Sequence, residues 1–137
     1  MGRKIFIPIH MNSLRELVFV YGTLRRGGSN HFRMDGAEFI SAGRIAGRMY
    51  KIDWYPGLVL DEAGDDIIGE VYSVDAEMLG NLDSFENVSA GDVEGCEYRR
   101  VETTVTRPDG ETLPAWVWEW LGEADEHRRL RSGDWLA

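Results

Sequence analysis

Cysteine is nearly missing from this chain. Cys96 stands alone, so no disulfide can form within it, as is usual for proteins of a reducing cytoplasm, where this one is expected to reside. Cys96 also sits in an acidic, glycine-containing stretch from Asp92 to Glu97. Neighbouring carboxylates raise a thiol pKa, which argues against a nucleophilic role. Long apolar runs are missing too: Ile5-Phe6-Ile7-Pro8-Ile9, the longest near the start, is too short for a membrane span or the apolar part of a signal peptide. Met1-Gly2 is followed by Phe6 where a myristoylation signal needs Ser or Thr. No Lys/Arg-rich run offsets a formal net charge of −9, the sum of 24 acidic and 15 basic residues. A surface of that sign repels phosphate backbones and disfavours anionic lipids, so no nucleic acid or membrane partner is expected. His10, His31 and His127 have no metal-ligand spacing and no second cysteine to join them, so no metal site is expected. The glycine-rich stretch Gly22 to Gly28 lacks the lysine and Ser/Thr of a phosphate loop.

What is present reads as one globular unit. The chain has 137 residues, 43% hydrophobic and 28% charged, without repeats, low-complexity tracts or linkers. We divide it into an N-terminal extension (residues 1–16, with Met11 an alternative start), a domain over 17–121, and a polar tail over 122–137 in which Trp135 and Leu136 are candidates to dock. Leu17 to Tyr21 is a β-branched and aromatic run that predicts a buried strand. It ends in a glycine-punctuated loop, after which Ser29 or Asn30 is placed to cap a short helix through Asp35. Residues 37–52 predict one long or two short strands bent at Gly43 and Gly47. Trp54-Tyr55-Pro56-Gly57 predicts a turn into a strand at Leu58 to Leu60, with another strand over Ile67 to Val74. Asp75 is a good N-cap for a helix running to about Glu86, its buried stripe marked by Met78, Leu79, Leu82 and Phe85. Residues 98–107 and 111–120 form a hairpin around Pro108-Asp109-Gly110. Six or seven strands, two or so short helices and no βαβ alternation predict an α+β fold with a curled, mixed β-barrel.

Few residues are placed to carry chemistry. At about 100° per residue, Glu86 lies about 50° from the centre of the helix's apolar stripe, whereas Asp83 lies about 110° away and is expected to face outward. A carboxylate at the rim of an apolar face is partly desolvated, which raises its pKa toward the range useful for proton transfer. A helix-end glutamate that bends into solvent fits the same spacing. Tyr21 to Leu24, a strand running into a glycine turn, can expose consecutive N–H groups to a carboxylate or carbonyl oxygen, although an ordinary turn has the same sequence. Trp116, Trp118 and Trp120 alternate along one strand and share a face, as core residues commonly do. His31 in the glycine loop is a further candidate base.

In order along the chain stand Val18-Phe19-Val20-Tyr21-Gly22-Thr23-Leu24, Asn30-His31, Tyr55-Pro56-Gly57-Leu58, Gly69-Glu70-Val71-Tyr72, Leu82-Asp83-Ser84-Phe85-Glu86, Tyr98-Arg99-Arg100 and Ala115-Trp116-Val117-Trp118. This succession resembles the γ-glutamylcyclotransferase-like (AIG2-like) family, particularly its γ-glutamylamine cyclotransferases and small bacterial members. The resemblance implies a γ-glutamylcyclotransferase-like fold with a pocket at the barrel mouth. Tyr21, Gly22, Thr23 and Leu24 would bind the α-carboxylate of a γ-glutamyl substrate, Glu86 would act as general acid and base, and Tyr98, Arg100 and Trp118 would line the wall. It implies a cyclisation that yields 5-oxoproline and a free amine or peptide, with a small γ-glutamyl molecule as partner and no cofactor. A monomer or weak homodimer is expected. The chain departs from the family pattern at Asn87, at Trp118 and in the length of Asn87 to Glu97, a stretch expected to bear on the choice of substrate. A non-catalytic module binding a small metabolite in the same barrel is the other reading. A hydrolase using water in place of the internal amine is a third.

Overall fold

The computed structural model describes residues 15–86 and 97–137. Most of the proposed N-terminal extension, with His10 and Met11, lies outside the described residues, as do Asn87 and Cys96. The elements are β1 (Glu16–Val20), β2 (Glu38–Lys51), β3 (Pro56–Leu60), β4 (Asp65–Val74), helix α1 (Ala76–Phe85), β5 (Tyr98–Thr106) and β6 (Thr112–Trp120), with 3-10 turns at His31–Met34 and Glu126–Arg128. The strands form one sheet in the order β3-β2-β4-β1-β6-β5. A further pairing of β2 with β5, Arg44 opposite Thr106, closes five of them into a barrel and leaves β3 attached outside the ring. All pairings are antiparallel except β1 with β6, which run parallel with Val18 opposite Trp116. This is the α+β mixed barrel that the strand pattern predicts.

Period-two alternation builds two cores from the same strands. Phe19, Ile45, Met49, Ile67, Val71, Val105 and Val117 are fully or nearly fully buried and pack with one another inside the barrel. Their neighbours Val18, Val20, Tyr72, Val74 and Trp118 face the other way and pack under Leu79 and Leu82 of α1. Strand β1 is therefore buried on both faces, which explains why it reads as an unbroken apolar run rather than an alternating one. Each of these large side chains contributes about 1.5–3 kcal/mol by leaving water. The tryptophan row lies on the helix side: Trp118 is fully buried, and Trp116 and Trp120 pack against the same cluster.

Local signals account for α1. The Asp75 carboxylate accepts from the Met78 N–H at 2.8 Å, closing the N-terminus as expected of this cap. Residues 37–52 form one long strand rather than two, with an irregularity between Phe39 and Ser41. Two expectations are corrected. Asn30 precedes a 3-10 turn and makes no capping bond; its amide instead donates to Thr23 Oγ1 and its oxygen accepts from Arg33 Nε. Asp83 does not face outward. It accepts from the Trp118 indole N–H at 2.9 Å and from Arg100 Nε at 3.0 Å, because a tryptophan packed beneath a helix needs an acceptor for its N–H.

The C-terminal residues belong to the barrel wall. Leu130 donates its N–H to Met49, and the Gly133 carbonyl accepts from Ile68. Trp135 packs against the interior cluster, while Leu136 stays partly exposed. Gly133 has φ +68°, and a Cβ there would fall 1.9 Å from the Asp66 carbonyl oxygen. Gly133→Ala should therefore cost about 2 kcal/mol or more, read as a lowered urea midpoint at unchanged slope.

Candidate active site

The end of β1 opens into a cleft. Tyr21, Gly22, Thr23 and Leu24 line one side; Glu86, Tyr98 and Trp118, with Tyr55 and Pro56, line the rest. Of the residues the family resemblance assigns to the site, Arg100 is not brought to this cleft. It pairs with Asp83 and lies over the Trp116 ring, 4.5 Å from its centroid. His31 also stays outside: its Nδ1 meets the Leu24 carbonyl at 2.9 Å, so it braces the loop.

That loop is built to present its amides. Among the described residues, the N–H groups of Gly22, Thr23 and Leu24 have no acceptor, although all three residues are buried. Buried backbone donors are nearly always paired, so three unpaired in succession, on residues that line the cleft, are free donors at its edge. Several contacts hold the shape. Asn30 donates its backbone N–H to the Thr23 carbonyl at 2.9 Å. The buried Glu70 carboxylate accepts from Arg26 N–H, Arg25 Nε and the Tyr72 hydroxyl at 3.0–3.3 Å. Arg25 also reaches Asp134 in the C-terminal segment at 2.7 Å. Gly22 admits no side chain here, because a Cβ would sit 2.7 Å from the Pro56 ring.

Glu86 follows the last residue of α1. Its N–H donates to the Leu82 carbonyl at 2.9 Å, and its carboxyl lines the cleft. Desolvation, reinforced by the carboxylates of Glu97 and Asp83, pushes its pKa up to about 8. The tyrosines around it move away from neutrality. Tyr21 donates to the Trp118 carbonyl at 2.8 Å and Tyr98 to the Pro56 carbonyl at 2.7 Å; burial raises both phenols further above their usual range. Tyr55 is raised by burial and then by Glu97. Among the described groups lining the cleft, Glu86 is therefore the one that exchanges a proton near pH 7–8. Sequence reasoning missed Tyr55 and Pro56 as cleft residues and Glu70 and Asp83 as supports. Their segments were visible as motifs, but their meeting depends on strand closure.

The sequence pattern described as gamma-glutamyl cyclotransferase, AIG2-like, matches residues 18–137. The chain belongs to this family. The gamma-L-glutamyl-butirosin B gamma-glutamyl cyclotransferase of Niallia circulans is 34% identical over 121 residues, 86% of this chain and 74% of that protein. The gamma-glutamylaminecyclotransferase of Homo sapiens is 42% identical over 86 residues, 54% of this chain and 55% of that one. A crystal structure of an AIG2-like protein from Mus musculus matches with a TM-score of 0.70 and 29% sequence identity, over 82% of this chain and 81% of that chain. Membership of the cyclotransferase family identifies this protein as an enzyme.

Glu86 makes stability depend on pH in a stated direction. Its folded pKa of about 8 lies above its ordinary 4.5, so between these values the folded state holds a proton that the unfolded chain has released. The stability this group contributes is complete below pH 4.5 and is lost as pH rises through 8. Glu86→Gln, a permanent mimic of the protonated form, should match the native protein at pH 5 and exceed it by about 2–4 kcal/mol at pH 9. Thermal or chemical denaturation across that range measures the gap.

Proposed function

We propose that this enzyme cyclises a γ-glutamyl amine or peptide to 5-oxoproline with release of the amine, and that Glu86 carries the protons. One observation carries the reading: the titrating Glu86 carboxyl and the unpaired amides of Gly22 to Leu24 line the same cleft. The amides donate to the substrate's α-carboxylate and adjoining polar oxygens. This holds the glutamyl chain bent, with its α-nitrogen near its own γ-carbonyl. Nucleophile and electrophile are then one molecule, so positioning replaces the entropy loss of a bimolecular encounter.

The steps balance without water or a co-reactant. Ionised Glu86 takes a proton from the α-ammonium. The freed amine attacks the γ-carbonyl carbon, forming the ring C–N bond. Glu86 returns that proton to the departing nitrogen as the original amide bond breaks, and it relays the second proton, shed by the new ring nitrogen, to the amine, which leaves as an ammonium. A carboxyl of pKa about 8 suits both transfers, because an α-ammonium titrates near 8 as well and neither direction is steeply uphill. Tyr21 and Tyr98, committed to carbonyl acceptors, keep the carboxyl within an enclosed wall. Trp118 packs behind it with its indole N–H anchored on Asp83.

The assay is 5-oxoproline release from a panel of γ-glutamyl amines and peptides. Glu86→Gln should lower kcat by about 10²–10⁴-fold while the protein stays folded; a loss of less than tenfold would remove Glu86 from the role. Free glutamate in place of 5-oxoproline would identify water as the nucleophile. Ligand-induced thermal stabilisation without turnover would identify a binding module. In native enzyme kcat/KM should climb as pH rises from 6, reaching half its plateau near 8 as free Glu86 ionises. A flat profile over pH 6–8 excludes this proton inventory.

A further inference from the structure

The cleft does not end at Glu86. A second hollow shares Thr23, Tyr55, Glu86 and Tyr98 with it and continues past Phe85, Trp54 and Glu97. Glu86 thus stands where two chambers of opposite character meet. The inner chamber offers N–H donors. Among the described residues the outer one is walled by aromatic rings, Thr23 and the carboxyls of Glu86 and Glu97, with no lysine or arginine. Trp54 keeps 58% of its surface exposed and stands edge-on to Tyr55, with ring centroids 4.9 Å apart at 76°. Glu97 and Asp53 both bear on the Tyr55 phenol, which places two negative charges beside this aromatic pair.

A γ-glutamyl amide bound with its α-carboxylate on the inner amides must direct its leaving amine outward past Glu86. We propose that the outer hollow receives a leaving amine bearing a second, positively charged group, so that the substrates are γ-glutamyl amides of diamines or other cationic amines. The assignment rests on the cyclisation reading above and adds the identity of the leaving group. A cation there lies within reach of indole and phenol faces and of the Glu97 carboxylate at once. A neutral alkyl group would cover that carboxylate without pairing it, at a desolvation cost. A leaving group with its own carboxylate, such as an amino acid, would face Glu97 and Asp53 with like charge. The chain's net charge of −9 acts in the same direction on approach.

Three γ-glutamyl amides of equal length test this: the 5-aminopentyl, n-hexyl and 5-carboxypentyl amides, each assayed for 5-oxoproline release by native enzyme. The aminopentyl amide should exceed the hexyl amide in kcat/KM by about tenfold, mainly through a lower KM, and the carboxypentyl amide should rank last. In Glu97→Gln and in Trp54→Ala the ratio of aminopentyl to hexyl turnover should fall at least about threefold. Taking the ratio within one enzyme cancels any effect of either variant on Glu86 itself. A hexyl amide used as well as the aminopentyl amide, a leading carboxypentyl amide, or a ratio unmoved in both variants overturns the cation assignment and leaves cyclisation standing. Absence of 5-oxoproline from all three overturns both.

Discussion

One buried carboxylate governs the geometry on which the cleft depends. Glu70 lies in the wall opposite Val20 and gathers the Arg26 amide, the Arg25 guanidinium and the Tyr72 hydroxyl. These donors come from the loop after β1 and from β4, so the carboxylate fixes how the chain turns away from the strand. Without that turn the amides of Gly22 to Leu24 would have no reason to remain unpaired. Arg25 passes the constraint on to Asp134, and the C-terminal segment becomes a brace for a loop that starts more than a hundred residues earlier. A charge pair this enclosed adds little net stability, but removing one partner strands the other. Its value lies in the conformation it selects.

The electrostatics of the cleft follow from where α1 ends. The helix ends at Phe85, which leaves the next carboxyl in a cleft walled by tyrosines and Trp118, with Asp83 and Glu97 nearby. An acidic protein has placed three carboxylates close together and solved the conflict unevenly. Asp83 is neutralised by Arg100 and anchored by Trp118; Glu86 has no such partner among the described residues and holds its proton instead. Raising a pKa by burial and like charge stores instability in the folded state, and this is the usual cost of a proton carrier tuned toward neutrality.

The legible part of the fold was the local part. The unbroken run at β1, the Asp75 cap, the stripe of α1 and the hairpin around Asp109-Gly110 are each set by residues within one or two turns of each other. The helical spacing also brought Glu86 to the apolar rim, though not with a decision between solvent and cleft. What escaped were contacts made by ring closure. Pro56 touches the Gly22 position only because β3 adds to β2 outside the barrel. Glu70 meets Arg26 across 44 positions of sequence. Asp83 turned inward for an indole N–H on a strand that follows it by 35 residues, and helical periodicity carries no information about such a partner. Arg100 was assigned to the wall by the family resemblance; it shares a strand face with Tyr98, yet it stands two positions further along β5, where its guanidinium is taken up by Asp83.

The parallel pairing of β1 with β6 has a consequence for how the chain is made. Val18 has to find Trp116, which leaves the ribosome 98 residues later, the difference between the two positions. At ordinary elongation rates that is a wait of roughly 5–20 seconds. Throughout it, the most apolar segment of the molecule is an unpaired strand lacking at least one flank, and the barrel has no way to close until its final hairpin emerges. Contacts this far apart fold slowly, and an exposed strand of this composition adheres readily to others like it. Efficient folding of this chain therefore requires that Leu17 to Tyr21 be shielded until its last partner arrives.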